Sequence, residues 1–168
     1  VWIAESDDFS EIDFLEKNLA VLESDSSIGV SFCPSIWVDA VGKTIEIPDH
    51  ESIPFKSLGI NLIKNEFTKG CVIYNASSAV FRKNLIQNVD FVSVKSFKFT
   101  GDWMFWVQLI EKTKVARIGE RLNYFRRHAE NVSTISNKKG LQFSEGFRVV
   151  KFILDNFSNR FIKNLFKR

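Results

Sequence analysis

The chain has 168 residues, 45% of them hydrophobic and 26% charged, including 17 phenylalanines and four tryptophans. That is ample apolar bulk for a core, which excludes intrinsic disorder, and it suits one ordinary domain spanning 1–168 rather than two. The net charge of +3 hides a split: residues 1–60 carry 12 acidic and three basic groups, the remainder eight acidic and 20 basic.

No apolar run approaches the roughly 20 residues that span a bilayer, so a cytoplasmic protein is expected, at most resting on the inner face of the cell membrane. Cys33 and Cys71 form neither a CxxC pair nor a zinc-ligand pattern, and reduced thiols follow. Val1-Trp2-Ile3-Ala4 has the composition of a buried strand, and the carboxylates of Glu5, Asp7 and Asp8 come directly after it, where open α/β sheets bind ligands. The natural start of the protein is expected to lie upstream of Val1.

Ser10 and Asp13 resemble a capping box, and Ile12, Leu15, Leu19 and Leu22 recur at helical spacing until Ser24-Asp25-Ser26-Ser27 stops them. Residues 28–47 are β-rich about a turn at Asp39-Ala40-Val41-Gly42-Lys43, and 48–54 reads as loop. A helix is predicted over 56–67, extended segments over 71–75 and 79–82 around Ala76-Ser77-Ser78, and a helical turn over 84–88. Trp103, Val107 and Ile110 mark a further helix with Asp102 in its first turn. Strands follow at 115–118 and 121–126. The last helix, within a C-terminal helical segment over 141–168, carries Phe143, Phe147, Val150, Leu154 and Phe157 on one stripe.

Three carboxylates within four residues repel one another unless a cation or strong donors compensate, and hard oxygen ligands suit Mg²⁺ or Mn²⁺. Taken alone, such a cluster also caps helices or lines solvated loops. Likewise Asp102 reads as a helix cap, Arg126 and Arg127 as surface cations beside Glu120 or Glu130, and His128 as a loop histidine. His50 has no supporting context.

Four segments in order resemble family 2 glycosyltransferases. Trp2-Ile3-Ala4-Glu5-Ser6-Asp7-Asp8 is similar to the DxD segment, with Glu5 in place of the commoner aspartate, and Asn75-Ala76-Ser77-Ser78-Ala79-Val80-Phe81 to the strand beneath the sugar pocket. Thr100-Gly101-Asp102-Trp103 resembles the (E/G)-D-W segment. Tyr124-Phe125-Arg126-Arg127-His128 resembles the Y-x-R-x-H ending. The resemblance implies an α/β chain that is part of a GT-A fold, a truncated mixed sheet covered by helices. It implies inverting transfer of a sugar from a nucleotide-diphosphate donor to a glycan or lipid-linked acceptor in cell-envelope synthesis. Asp102 would be the base, Asp7 and Asp8 the metal ligands, and Glu5, Asp7, Trp103, Arg126 and His128 the substrate contacts. The nucleotide-binding strands of such a domain would precede Val1, so the fragment alone is expected to be inactive. A non-catalytic sugar-nucleotide or polysaccharide binding module is the alternative. Arg148, Lys151, Arg160, Lys163, Lys167 and Arg168 make the C-terminal segment basic and amphipathic, suited to peripheral contact with an anionic membrane. No nucleic-acid reading motif is recognisable.

Overall fold

The computed structural model describes residues 1–47, 53–127 and 141–157, with side chains in the last segment from Phe143 onward. The described residues are mixed α/β, with two four-stranded mixed sheets. The strands are β1 (Phe9–Ser10), β2 (Ile28–Phe32), β3 (Ser35–Val38), β4 (Thr44–Glu46), β5 (Phe55–Leu58), β6 (Ala79–Phe81), β7 (Lys114–Arg117) and β8 (Asn123–Arg126). The helices are α1 (Phe14–Ser24), α2 (Gly59–Leu62, continued by a π-helical turn over Ile63–Phe67), α3 (Phe91–Lys95), α4 (Gly101–Ile110) and α5 (Leu141–Phe157).

The first sheet has the order β5-β7-β2-β6 and the second β1-β8-β3-β4; in each, the two central strands are parallel and the outer pairings antiparallel. The two central pairs are successive parts of the same chain segments. β2 leaves the first sheet at Phe32 and enters the second as β3 at Ser35, while β7 does the same on its way to β8. All five residues of β2 are buried, as expected of a central strand covered on both faces.

One face of the first sheet, with Val30, Phe32, Phe81 and Val115, packs under α4, α5 and the π-helical turn. There Phe81, Phe105 and Trp106 meet edge to face at centroid separations of 5.0–6.0 Å, the arrangement that ring quadrupoles prefer. The other face, with Val80 and Ala116, packs on Phe14 and Leu22 of α1.

Several sequence expectations are corrected. Val1–Ile3 are 37–44% exposed rather than buried: the segment lies along the outer edge of β6, joined by mutual Val1 and Phe81 backbone bonds and a single Trp2–Val80 bridge. In α1 the buried positions are Phe14, Asn18 and Leu22, whereas Ile12, Leu15 and Leu19 face water. The buried stripe is offset because Asn18 is a core residue, its side chain bonded to the Phe14 carbonyl and to the Ser31 hydroxyl of β2. No capping box forms, since Ser10 belongs to β1 and Asp13 makes an ion pair with Lys17. Residues 55–58 are strand before the helix begins, and 71–75 are irregular. In α5 the buried residues are Gly146, Val149 and Ile153, and Phe143 and Phe147 stand in solvent. The hairpin at Asp39–Lys43 does form, with Gly42 at a φ of +88°, and both cysteines are free.

Glu145 of α5 fastens the entry to α4. Its carboxylate accepts from the backbone N–H groups of Lys98, Phe99 and Thr100 at 2.8–3.1 Å. Partial desolvation disfavours the ion, but these donors outweigh it and hold the carboxyl below its ordinary value of 4.5. A depressed folded-state value contributes stability above the unfolded value, and that contribution disappears as pH falls through the folded one. Thermal melting of Glu145→Ala should therefore give a midpoint below wild type at neutral pH. The gap should narrow on acidification below about 4.5.

Candidate functional site

The turn Glu5–Asp8 follows the edge segment, closed by the Asp8 N–H on the Glu5 carbonyl at 3.3 Å. Backbone and side-chain hydrogen bonds hold the turn in place. The Ser77 hydroxyl accepts from the Glu5 backbone N–H at 2.9 Å, and the backbone N–H of Ala76 donates to the Glu5 carboxylate. Asp8 accepts from the Asn75 amide at 2.6 Å through one oxygen and from the Arg126 backbone N–H at 3.0 Å through the other.

Behind Asp8 lies a buried polar network. Asn75, Asn123 and Ser35 are 4%, 0% and 2% exposed. The Asn75 amide also donates to Asn123 Oδ1 at 3.0 Å, and the Ser35 hydroxyl lies 2.8 Å from that oxygen and 3.2 Å from Asn75 Oδ1. Asn123 Nδ2 turns outward to the Phe9 carbonyl and the Ser10 hydroxyl, both at 3.4 Å. Buried amides left without partners cost about 1–3 kcal/mol each, so the network fixes the acidic turn onto β3, β8 and the turn at Ala76–Ser78.

Arg126 has a positioning geometry. Its guanidinium donates to the carbonyls of Asp7, Asp39 and Ala40 at 2.7–3.0 Å and stacks over Phe9, which locks the acidic turn to the β3–β4 hairpin. Arg127 lies over the Trp37 ring. His128 and His50 fall outside the described residues.

The carboxyl of Glu5 is raised to about 7. Desolvation is the largest cause; the charges of Asp8 and Asp7 follow, and that of Asp102 adds to them. The acidic turn and the start of α4 therefore lie within electrostatic reach of each other. Asp102 is open to water on one side, yet protein surrounds it on the others. That crowding raises its carboxyl above the ordinary 3.8, against the Trp103 backbone N–H, which donates to Asp102 Oδ1 at 2.7 Å. The helix start alone favours the ion; crowding overrides it.

Trp103 is half-buried in the main core with its ring edge against Gly146 of α5, so its principal contact is packing between helices. Cys71 connects the site to a groove of about 590 Å³. Burial pushes its thiol well above the ordinary range, and the charge of Asp102 adds to the effect. The groove runs between β5, α2 with its π-helical turn, and residues 69–74, with Phe32, Phe55, Tyr74, Asn61, Asn65 and Arg117 in its walls.

Among the described residues no three His, Cys, Asp or Glu side chains are grouped so as to hold a metal ion, and no helix is long and apolar enough to cross a membrane. The sequence reading missed Ser35, Asn123, Ser77 and the groove. The available signal for the first two was a small polar residue and an amide set inside otherwise apolar strands. Neither a protein-family model nor a curated protein matches the chain.

The raised Glu5 carboxyl gives a direct test. A carboxyl whose folded value exceeds its unfolded one favours folding below 4.5, and that advantage is lost as pH rises from 4.5 through about 7. Glu5→Gln removes the titration. Its melting midpoint should match wild type below about 4.5 and exceed it above about 7 in metal-free buffer.

Proposed function

We propose that this chain is the acidic-loop part of a GT-A domain of the family 2 glycosyltransferase kind, acting in inverting sugar transfer from a nucleotide-diphosphate donor to an acceptor hydroxyl. The observation that carries the reading is that the charge of Asp102, at the start of α4, reaches Glu5 in the acidic turn, as do the charges of Asp7 and Asp8. The mixed sheet between α1 and α4 is compatible with such a domain.

A sugar hydroxyl is a weak nucleophile near neutral pH and needs a positioned base. Asp102 suits that role because a carboxyl raised by crowding is a stronger base than an exposed one. As the acceptor oxygen bonds to the anomeric carbon, its proton passes to Asp102 and the bond from that carbon to the diphosphate oxygen breaks on the opposite face. The groove beside Cys71 offers the acceptor aromatic faces and amides at Phe55, Tyr74, Asn61 and Asn65.

The donor set fits a cation of the Mg²⁺ type, which binds through one or two carboxylates and completes its shell with phosphate oxygens and water. Asp7 and Glu5 are the candidates, since a counter-charge would offset the desolvation and the repulsion from Asp8 and Asp7 that together raise the Glu5 carboxyl. Asp8 fits less well because both of its oxygens already accept hydrogen bonds. Bound there, the ion would supply charge to the departing diphosphate. Arg126 keeps the turn in place from behind. The role of His128 rests on its motif alone.

In the full-length protein, Asp102→Asn should lower nucleoside diphosphate release from its donor about 10²–10⁴-fold while calorimetric nucleotide binding stays unchanged. Equal release by both proteins rejects the base; binding without release in either favours the non-catalytic module. Mn²⁺ should raise the melting midpoint of wild type and leave that of Asp7→Asn unchanged.

A further inference from the structure

Helix α5 has one face committed to the core and another bare. Gly146, Val149 and Ile153 are buried, whereas Phe143 and Phe147, one turn apart, are 74% and 72% exposed. Two neighbouring phenyl rings in water are an unfavourable arrangement unless something apolar receives them.

The charge around the pair is basic. Arg148, on the same helix, reaches the Ser96 hydroxyl at 3.1 Å and lies over Phe97, which places exposed Lys95 and Lys98 beside it. Of the two acids on α5, Glu145 is bound to the backbone of Lys98–Thr100, and Asp155 is paired with Lys151 at 2.7 Å. The sequence that continues from the helix, 158–168, holds four basic residues and no acidic one.

We propose that the Phe143 and Phe147 face of α5 docks on an anionic lipid bilayer, the two rings entering the headgroup and acyl boundary while Lys95 and Lys98 lie among the phosphates. An interfacial helix combines an apolar edge with a basic flank in this way. Pairing with a second copy would set two basic patches against each other. A nucleic acid would be tracked by a groove, and the rings stand instead on the exposed face of a helix. The inference does not depend on glycosyl transfer.

The test is flotation of the 168-residue chain with phosphatidylcholine vesicles, with and without about one third phosphatidylglycerol. Binding should require the anionic lipid and weaken with salt, since surface charges are screened over about 8–10 Å at physiological ionic strength. Phe143→Ala/Phe147→Ala should bind at least about tenfold more weakly with an unchanged circular dichroism spectrum. If that variant unfolds, a polarity-sensitive fluorophore on Phe147→Cys serves instead, its emission shifting to the blue on anionic vesicles. The proposal is overturned if the folded wild type ignores anionic vesicles, if the double variant binds as well as wild type, if the fluorophore shows no shift, or if single-stranded oligonucleotide is bound and vesicles are not.

Discussion

The bond from Asn75 to Asp8 is the constraint on which the site depends. A carboxylate at the end of an edge segment is held by an amide almost wholly removed from water, and that amide is held in turn by Asn123 and Ser35 from the two parallel strands of the second sheet. The low local dielectric makes each of these bonds stronger and each missing partner more costly. The acidic turn thus inherits the rigidity of β3 and β8 although it belongs to no regular strand.

How far the sequence foretold this follows from what local patterns encode. The strands 114–117 and 123–126, the hairpin about Gly42 and helix α4 were readable because alternation, turn chemistry and helical spacing are local properties. The face of α1 was misread because apolar spacing gives no weight to an asparagine, and Asn18 earns its core position only through Ser31 of a strand elsewhere in the chain. The stripe of α5 failed for the related reason that Phe143 and Phe147 look like core residues, while the close contact with Trp103 goes to Gly146. Within the site, Asp7, Asp8 and Asp102 were visible as carboxylates. The anchoring of Asp8 by Asn75 and Asn123, and of the Glu5 backbone by Ser77, required tertiary contacts that no spacing announces.

Helix α5 joins the exposed ring pair to the start of α4. Glu145 grips the backbone just before α4, and Gly146 lets Trp103 of α4 approach closely, so the start of α4 moves with α5. An added Cβ there would lie 3.1 Å from the indole, so a side chain would require the ring to shift by a few tenths of an ångström. The exposed ring pair and Asp102 therefore lie on two helices joined by the Glu145 bonds and the Gly146–Trp103 contact.

The two parallel ribbons have a kinetic corollary. Ile28 aligns with Lys114, 86 residues further along the chain, and Ser35 with Asn123, 88 residues further. Closing loops of that length forfeits chain entropy before any contact rewards it, so this zipping belongs to the slow class of folding events. Since Asn123 meets Asn75 and Ser35 only after the ribbon has closed, the polar network that holds Asp8 matures late, and a nascent chain would keep its carboxylates in a loose, solvated turn until then.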